Sequence, residues 1–400
     1  MIKQLKLPFY LAFQYIRRGR KWTLFLTIFL MTIAFINLIF IPSLFSGIID
    51  GSNKQIINTM TGDIYISPQD GNDYIGQKDE VLQKIKNIDG VDSASAKTLV
   101  PARLKQGNIA GSWQTFAVNP DNDRNVSNIS SKIISGSYLD ADDVDQIIIG
   151  RQIAGGTDVE ENALSLKGAT VGEKVTLVFD GKPKDFTIKG IYNSNFVESD
   201  KRAFITEKAL NQIIPSTKNK ASTINIKLNG SANQDEVIGK VKNLNMNAKV
   251  YPWQESTGLM KTVSSSFASI NVLLSITSVT IAAVTILIII YVTIINKRKE
   301  IGILRAIGIR PYIIILSYVF LSAIYALAGI VTGTAVFSLI LVPYFEAHPF
   351  VLPICNAVLV LDWQNYIIRA EIIFFVSLLA GFIPAVIVTR AKMLTAILGR

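Results

Sequence analysis

Catalysis and metal binding need nucleophiles, acid–base groups or ligands at workable spacings, and this chain of 400 residues offers few. It has one histidine, His348, and one cysteine, Cys355, too few for the usual His/Cys zinc cages. No serine sits in an elbow motif, so a Ser-His-Asp site built on His348 lacks its framework. Asp140, Asp142, Asp143 and Asp145 are dense in carboxylate and raise the question of calcium. Residue 144 is valine, however, and neither the glycine nor the closing glutamate of an EF-hand loop follows, so the stretch reads as a solvated acidic turn. There is no G-x-x-x-x-G-K-S/T: Gly181-Lys182 and Gly239-Lys240 lack both the glycine loop and the hydroxyl. Any ATP hydrolysis has to come from another chain, and no cofactor is expected in this one. A membrane-anchored enzyme is disfavoured for want of a catalytic cluster.

One stretch stands out for a different kind of work. Asn296–Arg310, NKRKEIGILRAIGIR, lies between two long uncharged runs, Phe267–Ile295 and Ile313–Val342. It opens with Lys297, Arg298, Lys299 and Glu300 and continues with Ile301, Gly302, Ile303, Leu304, Ala306, Ile307 and Gly308, broken by Arg305. The spacing of Ile303 and Ile307 predicts a short surface helix with an apolar side. Two readings fit: basic residues that merely set membrane topology, or a shaped element that docks on a partner.

The stretch resembles the cytoplasmic coupling helix of FtsX-like, macrolide-exporter-type ABC permeases, whose pattern K/R-x-E-I-G-I/L-L/M-R/K-A-I/L-G docks onto a separate ATPase. Glu300, Ile301, Gly302, Leu304, Arg305, Ala306, Ile307 and Gly308 match it position by position. The resemblance implies that Glu300–Gly308, Ile303 included, couple the chain to a cytoplasmic ABC ATPase dimer that carries ATP-Mg.

The elements that must position this stretch follow from composition. Half of the chain is hydrophobic and its mean hydropathy is positive. Four charge-free segments are long enough to span a bilayer: Trp22–Ile41, Phe267–Ile295, Ile313–Val342 and Ile372–Thr389. In lipid each must close its own backbone hydrogen bonds, so each is expected to be a helix. The net charge of +10 is uneven. Residues 1–21, 296–312 and 389–400 together carry +13, whereas 42–266 has 25 basic and 26 acidic residues. The positive-inside rule therefore places both termini and the 296–312 loop in the cytoplasm and 42–266 outside. The high pI is a topology signal and implies no nucleic-acid partner. The leading hydrophobic stretch is too long for a cleavable signal peptide. Cys355 falls in an outer-side loop, so the large external domain is expected to have no disulfides; its size allows an adequate core without them.

Taken in order, Pro8–Lys21 reads as an amphipathic leading helix, with Pro8 in its first turn, Phe9, Phe13 and Ile16 on one face and Trp22 as an interface anchor. The first span keeps its apolar character past Pro42 to Ile49, an excess expected to form a stalk. From Asp50 the composition turns soluble. Strands are expected at Asp63–Ser67, Val91–Lys105, Trp113–Val118, Thr223–Leu228 and Ala248–Trp253, with helices at Lys78–Ile88 and Gln234–Leu244. The helical segments DEVLQKIKNI from Asp79 and DEVIGKVKNL from Asp235 are identical at six of ten positions. Each offers an i,i+4 pair, Glu80–Lys84 and Glu236–Lys240. Two such β-α-β units predict a split ferredoxin-like subdomain. The β-rich insertion at about 121–220 would carry strands Ile147–Gly150, Lys174–Phe179, Phe186–Ile191 and Ala203–Ile205 and a turn at Asp180-Gly181.

Further motifs extend the resemblance. LAFQYIRRGRKW is similar to the family's first basic helix. Ala117-Val118-Asn119-Pro120, Ser135-Gly136-Ser137-Tyr138-Leu139, Ile149–Ala154, Val171–Val175 and Phe186–Tyr192 follow the order of its lipoprotein-releasing branch. In the third span Gly329 and Gly333 form a GxxxG for close helix packing. The family's early glutamate in that span is absent, since Leu321-Ser322 stands there. Gly381 and Pro384 belong to the "l-a-g-x-x-P-A" run of the last span, and the usual terminal "P-x-e-A-L" is reduced to Leu394–Leu398 with no proline.

The expected organisation is a helical membrane protein with four spans and a large α+β extracytoplasmic domain of the MacB-type periplasmic core kind. Its parts are 1–21 leading helix, 22–49 first span and stalk, 50–262 external domain, 263–295 second span, 296–312 coupling helix, 313–342 third span, 343–371 external loop, 372–389 fourth span and 390–400 cytoplasmic tail. The resemblance implies a permease subunit in the cell membrane that works by mechanotransmission. It would pair with a second copy or a paralogue, contact membrane lipid and an external accessory or acceptor protein, and export or release a lipoprotein or other amphiphile. The apolar spans, whose only amides are Asn37 and Asn271, suit such a cargo. The alternative is a non-transporting FtsX-like regulator of an external partner such as a cell-wall hydrolase; such regulators tend to have a smaller external domain.

Overall fold

The computed structural model describes residues 2–19, 21–157, 159, 164–179, 182–244, 246–255, 258–352 and 355–390. The Asp180-Gly181 turn, the Asn271 side chain and the 394–398 motif lie outside the described residues. The chain divides into a helical unit, residues 1–49, 266–350 and 357–400, and an α+β unit, residues 50–265 and 351–356.

In the helical unit, four helices among the described residues are long and apolar enough to cross a membrane. The first begins as Lys21–Ile56 and continues through a π-helical turn, Ile57–Thr61. The second is Gly258–Asn296. The third is Pro311–Val336, followed by a π-helical turn at Phe337–Leu341 and the short helix Val342–Ala347. The fourth is Trp363–Arg390, which starts nine residues before the expected 372. The reason is capping: the Asp362 carboxylate accepts from the Gln364 amide at 3.0 Å and from the Asn365 amide group at 2.6 Å, so two polar turns precede the apolar run.

The leading helix is Ile2–Arg18, and Pro8 lies inside it rather than in the first turn. Proline has no N–H for the carbonyl four residues back, so the helix loses one bond there. Phe9 and Phe13 are exposed as expected, but Ile16 packs with Ala12 and Tyr15 against the bundle. The Tyr15 ring stacks on Tyr318 of the third span, with centroids 5.3 Å apart.

Glycines let the spans approach. An added Cβ at Gly329 would lie 2.7 Å from Met31 Cβ of the first span, and one at Gly333 2.8 Å from the Phe35 ring. The hydroxyls of Thr32 and Thr332 meet at 2.6 Å in the same seam. An added Cβ at Gly381 would collide with the Ser322 hydroxyl, and Pro384 is buried one turn on. Ser322, at the position where a glutamate was expected by resemblance, is buried against the fourth span.

Among the described residues of the α+β unit, twelve strands form one sheet. They are β1 Ile64–Pro68, β2 Val91–Val100, β3 Ala102–Gln106, β4 Ile109–Gly111, β5 Gln114–Val118, β6 Ile133–Gly136, β7 Gln146–Gly150, β8 Lys174–Phe179, β9 Lys182–Tyr192, β10 Arg202–Thr206, β11 Thr223–Leu228 and β12 Ala248–Pro252. The run β12-β1-β11-β2 is antiparallel throughout and has the ferredoxin-like order. Helices Lys78–Lys86 and Gln234–Lys242 cover it, burying Val81, Leu82 and Ile85 and their counterparts Val237, Ile238 and Val241. The repeat thus shares one inward face. Of the two expected surface pairs, Glu236–Lys240 closes at 2.7 Å, while Glu80–Lys84 is absent among the described ion pairs. Exposed pairs of this kind contribute little, so nothing forces the second to form.

The sheet continues as β5-β10-β7-β9-β8-β3-β4. The expected single strand Val91–Lys105 breaks at Pro101: β2 stays with β11, and β3 pairs with β8. The β-rich lobe therefore starts at Ala102 rather than near 121. The acidic turn is tied to lysines: Asp140 and Asp143 lie 2.7 and 2.6 Å from Lys189 Nζ, Asp142 is 2.9 Å from Lys208, and Asp145 is 3.3 Å from Lys184. Lys189 holds the Asp140 carboxyl below its usual range.

Candidate coupling site on the helical unit

The segment between the second and third spans folds as a helix, Arg298–Ala306. Its start is a break in the second span, where the Lys297 amide donates to Ile294 O at 3.0 Å. Its end is a Schellman turn. The Gly308 amide donates to Arg305 O at 3.0 Å and the Ile309 amide to Leu304 O at 3.1 Å, with Gly308 at φ 94°. Only glycine adopts that backbone readily. Pro311 then opens the third span at its first turn.

The helix has two faces. Ile301 is fully buried in the bundle core, Gly302 is buried beside it, and Leu304 packs against the same core. On the other side Ile303 is 52% exposed and Ile307 73% exposed, with Ala306 and Gly308 exposed between and after them. Glu300 is exposed and Arg305 half-buried. The nine residues Glu300–Gly308 therefore do not act as one surface: Ile301, Gly302 and Leu304 anchor, while Ile303, Ala306 and Ile307 present an outward apolar strip.

The anchor extends to the leading helix. Lys297 Nζ sits 4.2 Å from the centroid of the Tyr15 ring and 3.9 Å from the Glu300 carboxylate. Burial pulls the Lys297 ammonium down from its usual range and Glu300 partly restores it; burial also pushes the Tyr15 phenol up. A groove of about 300 Å³ lies between the two helices, lined by Gln14, Tyr15 and Arg18 on one side and Lys297, Glu300 and Leu304 on the other. Sequence reasoning passed over the Lys297–Tyr15 contact, which joins residues 282 positions apart and has no local signal. The cap at Gly308 did have one, a glycine directly after the apolar period.

Residues 24–244 match the family described as MacB-like periplasmic core domain, more than half of the chain, and residues 272–393 match FtsX-like permease C-terminal. The chain belongs to the FtsX/MacB-type permease family. Within this ABC-permease family it is similar to the lipoprotein-releasing system transmembrane protein LolC of Buchnera aphidicola subsp. Schizaphis graminum, with 23% identity over 265 residues. That match covers 65% of this chain and 63% of LolC, so the chain spans just under two thirds of the relative's length. Among solved structures, the periplasmic region of MacB from Actinobacillus actinomycetemcomitans is similar at 13% identity and a TM-score of 0.37, covering 52% of this chain and 95% of that one. The extracellular domain of the noncanonic ABC-type transporter YknZ from Gram-positive bacteria is similar at 14% identity and a TM-score of 0.34, covering 47% and 97%. In this FtsX/MacB-type permease the Arg298–Ala306 helix falls within the FtsX-like match, and the twelve-stranded sheet runs through the MacB-like one, with β12 beyond its end.

Proposed function

We propose that the chain is the permease subunit of an ABC transporter that works by mechanotransmission, with Arg298–Ala306 as its coupling helix. The observation that supports this reading is the division of labour on that helix. Ile301 is sealed into the bundle while Ile303 and Ile307 stand exposed one turn apart. A topology determinant needs charge alone, whereas a force-bearing contact needs an anchor on one face and a docking strip on the other. The partner is a cytoplasmic ATPase dimer that binds ATP-Mg, and closure of that dimer pushes on Ile303, Ala306 and Ile307. Because Ile301 and Leu304 share a core with the spans, the push moves the helix ends to which they are joined. A second copy or a related permease completes the transporter.

The positive charge concentrated in residues 1–21, 296–312 and 389–400 supports a cytoplasmic location for both termini and the coupling helix, with the α+β unit on the outer side. The cargo class is an amphiphile, released from the membrane toward the outside; similarity to a lipoprotein-releasing protein supports a lipid-anchored one. Co-purification tests the coupling assignment. With its ATPase co-expressed, the double variant Ile303→Ser, Ile307→Ser should insert normally and lose the ATPase, since each fully buried isoleucine contributes on the order of 2–3 kcal/mol. Retention of both the ATPase and coupled transport would return the segment to a topology role.

A further inference from the structure

We infer that the groove between the second and fourth spans, at the end of the bundle away from the coupling helix, is a binding site for one acidic phospholipid, its phosphodiester at Arg369 and an acyl chain along the groove. The groove encloses about 460 Å³ and is walled by Val272, Ile276 and Val279 of the second span and Ile368 and Ile372 of the fourth. Val272, Ile276 and Ile368 are more than half exposed. A volume of this order suits a small ligand or a single chain.

The polar end makes the groove more than an apolar face. Arg369 is half-buried on its wall, and Nη2 donates to the Ser275 hydroxyl at 3.0 Å. Among the described residues no carboxylate lies within ion-pair distance of it. Asp362, the carboxylate whose charge reaches Arg369, spends its hydrogen bonds on capping the fourth span, and Glu371 is exposed with no ion pair among the described residues. A guanidinium has five donors, and one hydroxyl uses only one of them. A guanidinium at the membrane boundary with no carboxylate in direct contact among the described residues keeps donors free for an anion from outside.

Depth says what that counter-ion is. Arg369 stands about 30 Å along the fourth span from Arg390, at 1.5 Å per residue, so the two mark opposite boundaries of the hydrocarbon. Trp363, exposed, and Tyr366 lie just beyond Arg369, as aromatic residues do at a headgroup level. A phosphodiester at that depth can accept two parallel N–H bonds from the guanidinium. The chain of the same lipid then runs from Arg369 toward Val279 and Ile372, deeper in the membrane. This site does not depend on the coupling helix and stands or falls apart from the transport reading.

The test uses the full-length chain, without ATPase, in nanodiscs of phosphatidylcholine. Each preparation receives a trace of phosphatidylglycerol or of diacylglycerol with the same photoreactive acyl chain. Phosphatidylglycerol should label peptides containing 272–280 and 365–372 more than diacylglycerol does. Arg369→Gln, which keeps a donor for Ser275, should lower that labelling at least about tenfold, and Arg369→Lys should recover part of it. Ile276→Trp, which fills the groove and leaves Arg369 in place, should lower it too. Equal labelling by the two probes in the unaltered chain overturns the proposal, even if Arg369→Gln does not fold. So does phosphatidylglycerol labelling unmoved by Arg369→Gln or by Ile276→Trp.

Discussion

The amide of Ile309 reaches back 3.1 Å to the carbonyl of Leu304, and the turn that permits this passes through Gly308 at φ 94°. An added Cβ at Gly308 would meet nothing within 4 Å in the chain. The glycine is needed for its backbone, and the space beside it is open to a partner. Left-handed backbone costs other residues about 1–2 kcal/mol, least for asparagine. Gly308→Asn should therefore keep the ATPase on co-purification to a greater extent than Gly308→Val, which combines the strain with bulk. Equal loss in both would mean that side-chain volume decides and the cap does not.

The seam between the first and third spans gives a second expectation. At Gly329 the obstacle is Met31 Cβ at 2.7 Å, fixed to its backbone; at Gly333 it is the edge of the Phe35 ring, which can turn. Gly329→Ala should lower thermal stability in detergent by about 1–3 kcal/mol, the usual cost of overpacking. Gly333→Ala should cost less. A reversed order would show that the seam adjusts by moving whole helices.

Topology can be checked directly. A reporter fused after Gly230 should read as external, and one after Arg310 as cytoplasmic, because the basic excess lies on one side of all four spans. Alkaline phosphatase activity at the Arg310 fusion would contradict the assignment.

Residues 50–262 without the spans should fold alone. The ferredoxin-like strands and the β-rich lobe share one sheet through the β2–β5 pairing, so a single cooperative unfolding transition is expected. Coil-like circular dichroism from the purified fragment would refute this.

In that fragment Asp200 should leave a pH signature. Burial pushes its carboxyl up from 3.8 to about 6, although Ser194 donates to it from both its hydroxyl, at 2.7 Å, and its amide, at 2.9 Å. The folded state therefore keeps a proton that the unfolded chain releases. Stability from this group is greatest below pH 4 and falls as pH rises through about 6, by about 3 kcal/mol in total. Asp200→Asn should flatten the urea midpoint between pH 4 and 6 and raise it at pH 7. An unchanged slope would rule out Asp200 as its source.

Much of this protein was legible in one dimension because lipid imposes a one-dimensional code. Runs such as Ile313–Val342 have to be helices where no water can satisfy the backbone. The duplicated DEVxxKxKN segments carried the ferredoxin-like unit in the same way, through a local period that repeats. Tertiary structure decided what depends on contacts between distant residues. Pro101 turned one expected strand into two because β3 had a partner in β8, 77 residues further on in sequence at Ala102↔Phe179, and no local pattern announces such a partner. Pro8 stayed inside its helix because Tyr15 and Ala12 gain a seat on the third span. In the coupling segment the sequence marked every residue alike. Packing alone divided them, since burial of Ile301 against the spans turns Ile303 and Ile307 outward at 100° per residue.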